Sequence, residues 1–110
     1  MIELVKRPIV IQDLITIATY ISTDNLDAGD RFLYAAEATF QQLVQFPNLG
    51  RFSAFNHPAV TQIRQFPIKG FKNYLIFYQI HSKTLEIVRV LHGAQNLETT
   101  LLEEITDHEQ

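Results

Sequence analysis

One change of period divides this chain. From Val10 to Leu43 the apolar residues recur at helical spacing. From Val60 to Leu91 they crowd into short runs rich in β-branched and aromatic side chains. Val10, Leu14, Ile17 and Ile21 fall on one helical face, and Pro8 suits the first turn, where its missing N–H is no loss. Ile11 and Ile15 lie off that stripe, so this helix carries more apolar surface than one core contact needs. It is expected to stop near Ser22 or Thr23. Asp24 or Asn25 can cap a second helix, with Asp27 and Asp30 suited to its N-terminal dipole. Phe32, Ala36, Phe40 and Leu43 form its buried face, and Pro47 with Gly50 ends it.

Around this helical hairpin lie β segments. Ile2–Lys6 reads as a short strand ended by Pro8, and residues 51–59 read as a loop. Val60 to Ile68, Tyr74 to Ile80 and Leu85 to Leu91 read as three strands joined by links of hairpin length. The order is β-α-α-β-β-β: an α+β domain with the helical hairpin packed on one face of a small, mainly antiparallel sheet. The domain is expected over residues 1–96, followed by an acidic tail, 97–110. Leu97, Leu101, Leu102 and Ile105 in that tail stand at the spacing of a short helix.

A chain of 110 residues without cysteine has no disulfide, thiolate nucleophile or cysteine-bound zinc. No run approaches the ~18 apolar residues of a membrane span. The N-terminus lacks the apolar core of a signal peptide, so a cytoplasmic location is expected. The net charge of −3 hides an uneven distribution. Residues 1–50 carry three basic side chains against six acidic ones. Residues 51–92 carry six basic ones against Glu86 alone, and residues 93–110 carry five acids and no base. A basic middle between acidic ends fits a negatively charged protein partner, or the acidic tail lying against the chain's own basic sheet. It differs from the uniform positive charge of proteins that live on nucleic acid, and argues against direct nucleic-acid binding.

The ordered pieces resemble a known family. Asp13-Leu14 with Tyr20-Ile21, then Arg31-Phe32-Leu33, Thr39-Phe40, Leu43, Pro47 and Gly50 are similar to the two helices of RelE/ParE toxins from bacterial type II toxin–antitoxin systems. Gly70-Phe71, Asn73-Tyr74 through Phe77-Tyr78, and Arg89-Val90-Leu91-His92-Gly93-Ala94 complete the pattern. The resemblance is closer to the ParE, or plasmid-stabilisation, branch. It implies a toxin neutralised by a cognate antitoxin whose C-terminal segment, disordered when free, wraps it. For the ParE branch it implies DNA gyrase as a target inhibited by binding. For the RelE branch it implies metal-independent cleavage of mRNA on the ribosome. Neither implies a cofactor. Gln95-Asn96 stands where the family commonly has arginine and then aspartate.

Particular residues carry these alternatives. Arg64 and Arg89 interrupt apolar β segments, and a guanidinium cannot be neutralised on burial. If they share a sheet face they can clamp a phosphate, and His92 can then act as acid or base. The plainer reading pairs the arginines with antitoxin carboxylates, Glu86 or the acidic tail, and makes His92 structural. Lys69 and Lys72 flank Gly70-Phe71 in a turn. Tyr74 and Tyr78 share a strand face, where tyrosines stack bases or simply pack. Ile11, Ile15 and the basic sheet edge offer a surface to the antitoxin or the target. The helical hairpin also leaves room for a homodimer. His57, His81 and His108 lack the spacing of a metal site. Three functions thus stand: a gyrase-binding toxin, a ribosome-dependent endoribonuclease using Arg64, Arg89 and His92, and a non-toxic interaction module of the same fold.

Overall fold

The computed structural model describes residues 2–107. The chain runs through β1 (Glu3–Lys6), α1 (Pro8–Ser22), α2 (Leu26–Gln45), β2 (Arg51–Phe52) and a 3-10 turn (Pro58–Val60). It continues with β3 (Arg64–Ile68), β4 (Phe71–His81), β5 (Thr84–His92) and α3 (Leu97–Asp107). One mixed sheet has the order β1-β5-β4-β3-β2. β1 lies parallel to β5, with Glu3 opposite Thr84, and the other pairs are antiparallel. The α+β class and the order of the longer elements are those read from the sequence.

Local chemistry accounts for the helix ends. Pro8 opens α1, and the Arg7 N–H donates to Ile87 O at 3.1 Å, which hands the chain from strand to helix. Asn25 caps α2 by accepting the Ala28 N–H at 3.2 Å, and Asp27 sits in its first turn. Val10 of α1 and Phe32, Ala36, Phe40 and Leu43 of α2 are buried against Ile68, Ile76, Ile87 and Val90 of the sheet. Phe32 meets the rings of Phe71 and Tyr74 edge-on, each at 5.4 Å. Burying each large side chain of this kind contributes roughly 1.5–3 kcal/mol. Ile11 and Ile15 face away from this core, as the stripe requires, and are 48% and 54% exposed.

The sheet's second face is also covered. Leu101 and Ile105 of α3 pack with Val60, Ile63, Phe77, Val88 and Leu91 in a second cluster. Glu98 fixes α3 in place: its Oε2 accepts the N–H groups of Asn56 and His57 at 2.9 and 2.8 Å. The acidic tail is therefore a packed helix as far as Asp107. His108 lies outside the described residues.

Two local readings are corrected. The stretch 51–59 is not all loop, because Arg51 and Phe52 pair with Gln65 and Arg64 as an outer strand. Nor does the first of the three strands read after that loop begin at Val60. There the Val60 N–H turns back to His57 O at 3.0 Å and the Ile63 N–H to Val60 O at 3.3 Å, so pairing starts at Arg64. Pro58 seeds that turn with its fixed φ, and β-branched composition alone does not make a strand.

Both hairpin turns use the left-handed region. Gly70 adopts φ +84°, which costs glycine nothing, but Ser82 adopts φ +55°. A non-glycine residue there bears roughly 1–2 kcal/mol of steric cost. Ser82→Gly is expected to raise stability by about 0.5–1 kcal/mol after the extra entropy of the unfolded chain is subtracted. The denaturation midpoint measures this, and a fall would show that the serine side chain contributes more than its backbone costs.

Candidate functional site

β1 accompanies β5 only as far as Ile87, because Pro8 turns the chain into α1. β5 continues to His92, and along this stretch side chains replace the missing strand. Asp13 of α1 is 8% exposed. Its Oδ2 accepts the Val90 N–H at 3.0 Å and Arg89 Nε at 2.8 Å, while its Oδ1 accepts Arg89 Nη2 at 2.7 Å. One carboxylate thus caps a strand edge and fills a guanidinium fork. Hydrogen bonding to Asp13 raises the pKa of Arg89 against the opposing effect of burial, so its charge is secure.

Further along, the His92 N–H donates to Gln95 Oε1 at 3.0 Å, and the Ala94 N–H donates to His92 Nδ1 at 3.0 Å. With Nδ1 accepting, the proton of the neutral ring sits on Nε2. The ring lies edge-on to Tyr74, 5.1 Å between centroids. Burial, and then Tyr20, push the Tyr74 hydroxyl above its usual pKa, so it stays a donor. Together α1 and the end of β5 enclose a groove of about 310 Å³, with Asp13, Tyr74, Arg89, His92 and Gln95 along its walls.

The structure therefore brings together Arg89, His92 and Tyr74 and leaves Arg64 elsewhere. Arg64 is two strands away on β3, where its Nη1 donates to Gly50 O at 2.6 Å and its guanidinium lies 4.0 Å over the Phe52 ring. No two-arginine phosphate clamp is assembled, and the fork of Arg89 is already occupied. Tyr78 is withdrawn from any contact surface. It is fully buried, its hydroxyl donating to Pro47 O and accepting from the Gly50 N–H, each at 2.8 Å. Lys69 and Lys72 are exposed beside the β3–β4 turn, apart from the groove.

The sequence reading missed Asp13 as the partner of Arg89. The signal was a carboxylate set within the apolar stripe of α1, between Val10 and Ile17. Glu86, expected as a partner for the sheet arginines, instead binds Arg7 Nε at 3.1 Å and Gln79 Nε2 at 2.8 Å. Arg7 also lies 3.5 Å from Glu104, which ties α3 to the start of α1.

Burial pushes the Glu86 pKa up, but Gln79, Arg7 and His81 outweigh it and hold the carboxyl below its usual 4.5. The folded state thus binds fewer protons than the unfolded chain. This contribution is complete above about 4.5 and is lost as pH falls through the lower folded value. Melting temperature is expected to drop with acid more steeply in the wild type than in Glu86→Gln. Parallel curves would remove Glu86 from the acid response.

Chemically, the groove is a rigid, nearly charge-balanced surface with donors at Tyr74 and His92 Nε2. Among the described residues no three His, Cys, Asp or Glu side chains converge on a metal position. No helix of the described residues is long and apolar enough to cross a membrane.

Comparison with known proteins adds two findings. A family model described as the ParE toxin of the type II toxin–antitoxin system parDE matches residues 5–97. A chain from a chromosomal ParDE toxin–antitoxin system of P. aeruginosa shares the fold, with TM-score 0.68 and 16% identity over 84% of this chain and 96% of that one. Comparison with the curated proteins found no match.

Proposed function

Because the chain belongs to the ParE toxin family of type II toxin–antitoxin systems, we propose that it acts by binding, inhibiting DNA gyrase in the bacterial cytoplasm. A cognate antitoxin holds it silent, its C-terminal segment lying along Ile11 and Ile15 of α1 and over the groove at Tyr74 and His92. The observation that carries the choice of binding over cleavage is the Asp13–Arg89 pair. The one arginine of the groove has its fork filled from within the chain. Stabilising a scissile phosphate would require breaking that buried pair first.

Expression without antitoxin is expected to arrest bacterial growth with DNA damage and intact mRNA. Purified protein is expected to reduce gyrase supercoiling and to accumulate cleavage complexes. Gyrase unaffected at saturating protein would reject the proposal. Arrest with mRNA cut at codon positions, lost on His92→Ala, would replace it with the ribonuclease reading. Absence of arrest would favour an interaction module.

A further inference from the structure

A second surface lies at the opposite edge of the sheet from β1. The segment from Phe46 to Phe52 joins α2 to β2, the outermost strand. It exposes three large apolar side chains, Phe46 at 59%, Leu49 at 44% and Phe52 at 49%. Loops that display such side chains are ordinarily mobile, but this one is bolted down. The Tyr78 hydroxyl bridges Pro47 O and the Gly50 N–H, and Arg64 Nη1 donates to Gly50 O. Its apolar side chains are therefore presented with little ordering left to lose on binding.

Charge identifies what fits there. Arg51 is exposed, and Arg64 lies over Phe52 with Nε and Nη2 unengaged. Among the described residues neither arginine has a carboxylate partner, whereas Arg7 and Arg89 both do. Two acids of α3 are engaged elsewhere: Glu98 holds the loop at Asn56 and His57, and Glu104 faces Arg7. A second copy docked on this patch across a two-fold axis would gather four arginines in one interface, with no carboxylate from residues 46–52 to pair them. An aromatic and arginine cluster of this kind matches the composition of protein hot spots. The surface suits an apolar protein face that carries a carboxylate.

We propose that Phe46–Phe52, with Arg64, is a protein-docking surface separate from the α1 groove, and that its occupant is the toxin's target rather than the antitoxin. The assignment of the target rests on the gyrase reading above. Because the two surfaces lie at opposite edges of the sheet, a segment lying along α1 leaves this one uncovered.

The test measures binding of the purified full chain to immobilised gyrase, and separately to a single-stranded oligonucleotide. The variants are Leu49→Ser, Phe52→Ser and Arg51→Glu, all at exposed positions. Lys83→Glu, on the β4–β5 turn, makes the same change of charge elsewhere. The three variants are expected to weaken gyrase binding by about tenfold or more with unchanged melting temperature, and Lys83→Glu to leave it unaltered. Wild-type gyrase binding that all three variants retain would overturn this inference and leave the gyrase reading intact. Equal loss in Lys83→Glu would reduce the effect to overall charge and overturn it as well. Affinity lost for the oligonucleotide instead of gyrase would give the surface to nucleic acid. No binding of gyrase by the wild type would remove both readings together.

Discussion

Asp13→Ala is expected to destabilise the protein by about 3–5 kcal/mol, the largest effect of any substitution of a charged residue here. The loss has two sources. Arg89 keeps its charge in a largely buried position with its fork empty, and the Val90 N–H loses its acceptor at a strand edge. Asp13→Asn retains one acceptor and is expected to lose less. The double variant Asp13→Ala with Arg89→Leu removes both charges and should recover a substantial part of the deficit, because the stranded cation is then gone. Chemical denaturation of the wild type, Asp13→Ala, Arg89→Leu and the double variant measures the coupling. A single Asp13→Ala loss below about 1 kcal/mol would place this pair among ordinary surface ion pairs.

Gly50→Ala is expected to cost about 3 kcal/mol, at the upper end for overpacking. A Cβ there would stand 2.5 Å from the Tyr78 hydroxyl, 2.7 Å from its ring and 2.8 Å from Gln65 O. The ring cannot swing away, because its hydroxyl is held at both ends and the side chain is fully buried. Tyr78→Phe removes the bolt without adding volume and is expected to cost about 1–2 kcal/mol. It should also loosen Pro47–Gly50, which amide hydrogen exchange of this segment would register. Unchanged exchange in Tyr78→Phe would mean that the segment holds its shape by other contacts.

The elements most legible in the sequence were those whose pattern repeats within one segment. The stripe from Val10 to Ile21 and that from Phe32 to Leu43 specify helices on their own, and the turn glycine Gly70 marks its hairpin. β2 escaped because two residues carry no period. Val60 to Ile63 misled because β-branched residues pack equally well in a tight turn behind Pro58.

The site was less legible for a physical reason. Tyr78, read as available for contact, lies on the face covered by the helical hairpin, buried with Phe32, Phe40 and Leu43. The α3 cluster covers the second face, so alternation along β4 no longer separates inside from outside. The partner of Arg89 lies across the whole chain at Asp13, and only the path of α1 over β5 brings them together. Arg64 and Arg89 look alike in the sequence, each an arginine in an apolar run. They differ in three dimensions because one found a carboxylate and the other found carbonyls and a ring.

The parallel pairing of β1 with β5 has a consequence in time. Glu3 cannot meet Thr84 until nearly the whole chain has left the ribosome. The helical hairpin emerges first and can form by local contacts, but its apolar face then waits for strands still to be made. Asp13 likewise waits for Arg89. Throughout synthesis the nascent protein therefore exposes the surface that the finished core will hide. The last strand both joins β1 to β4 and brings Arg89 to the buried carboxylate, so a chain cut short before β5 has no finished groove to offer.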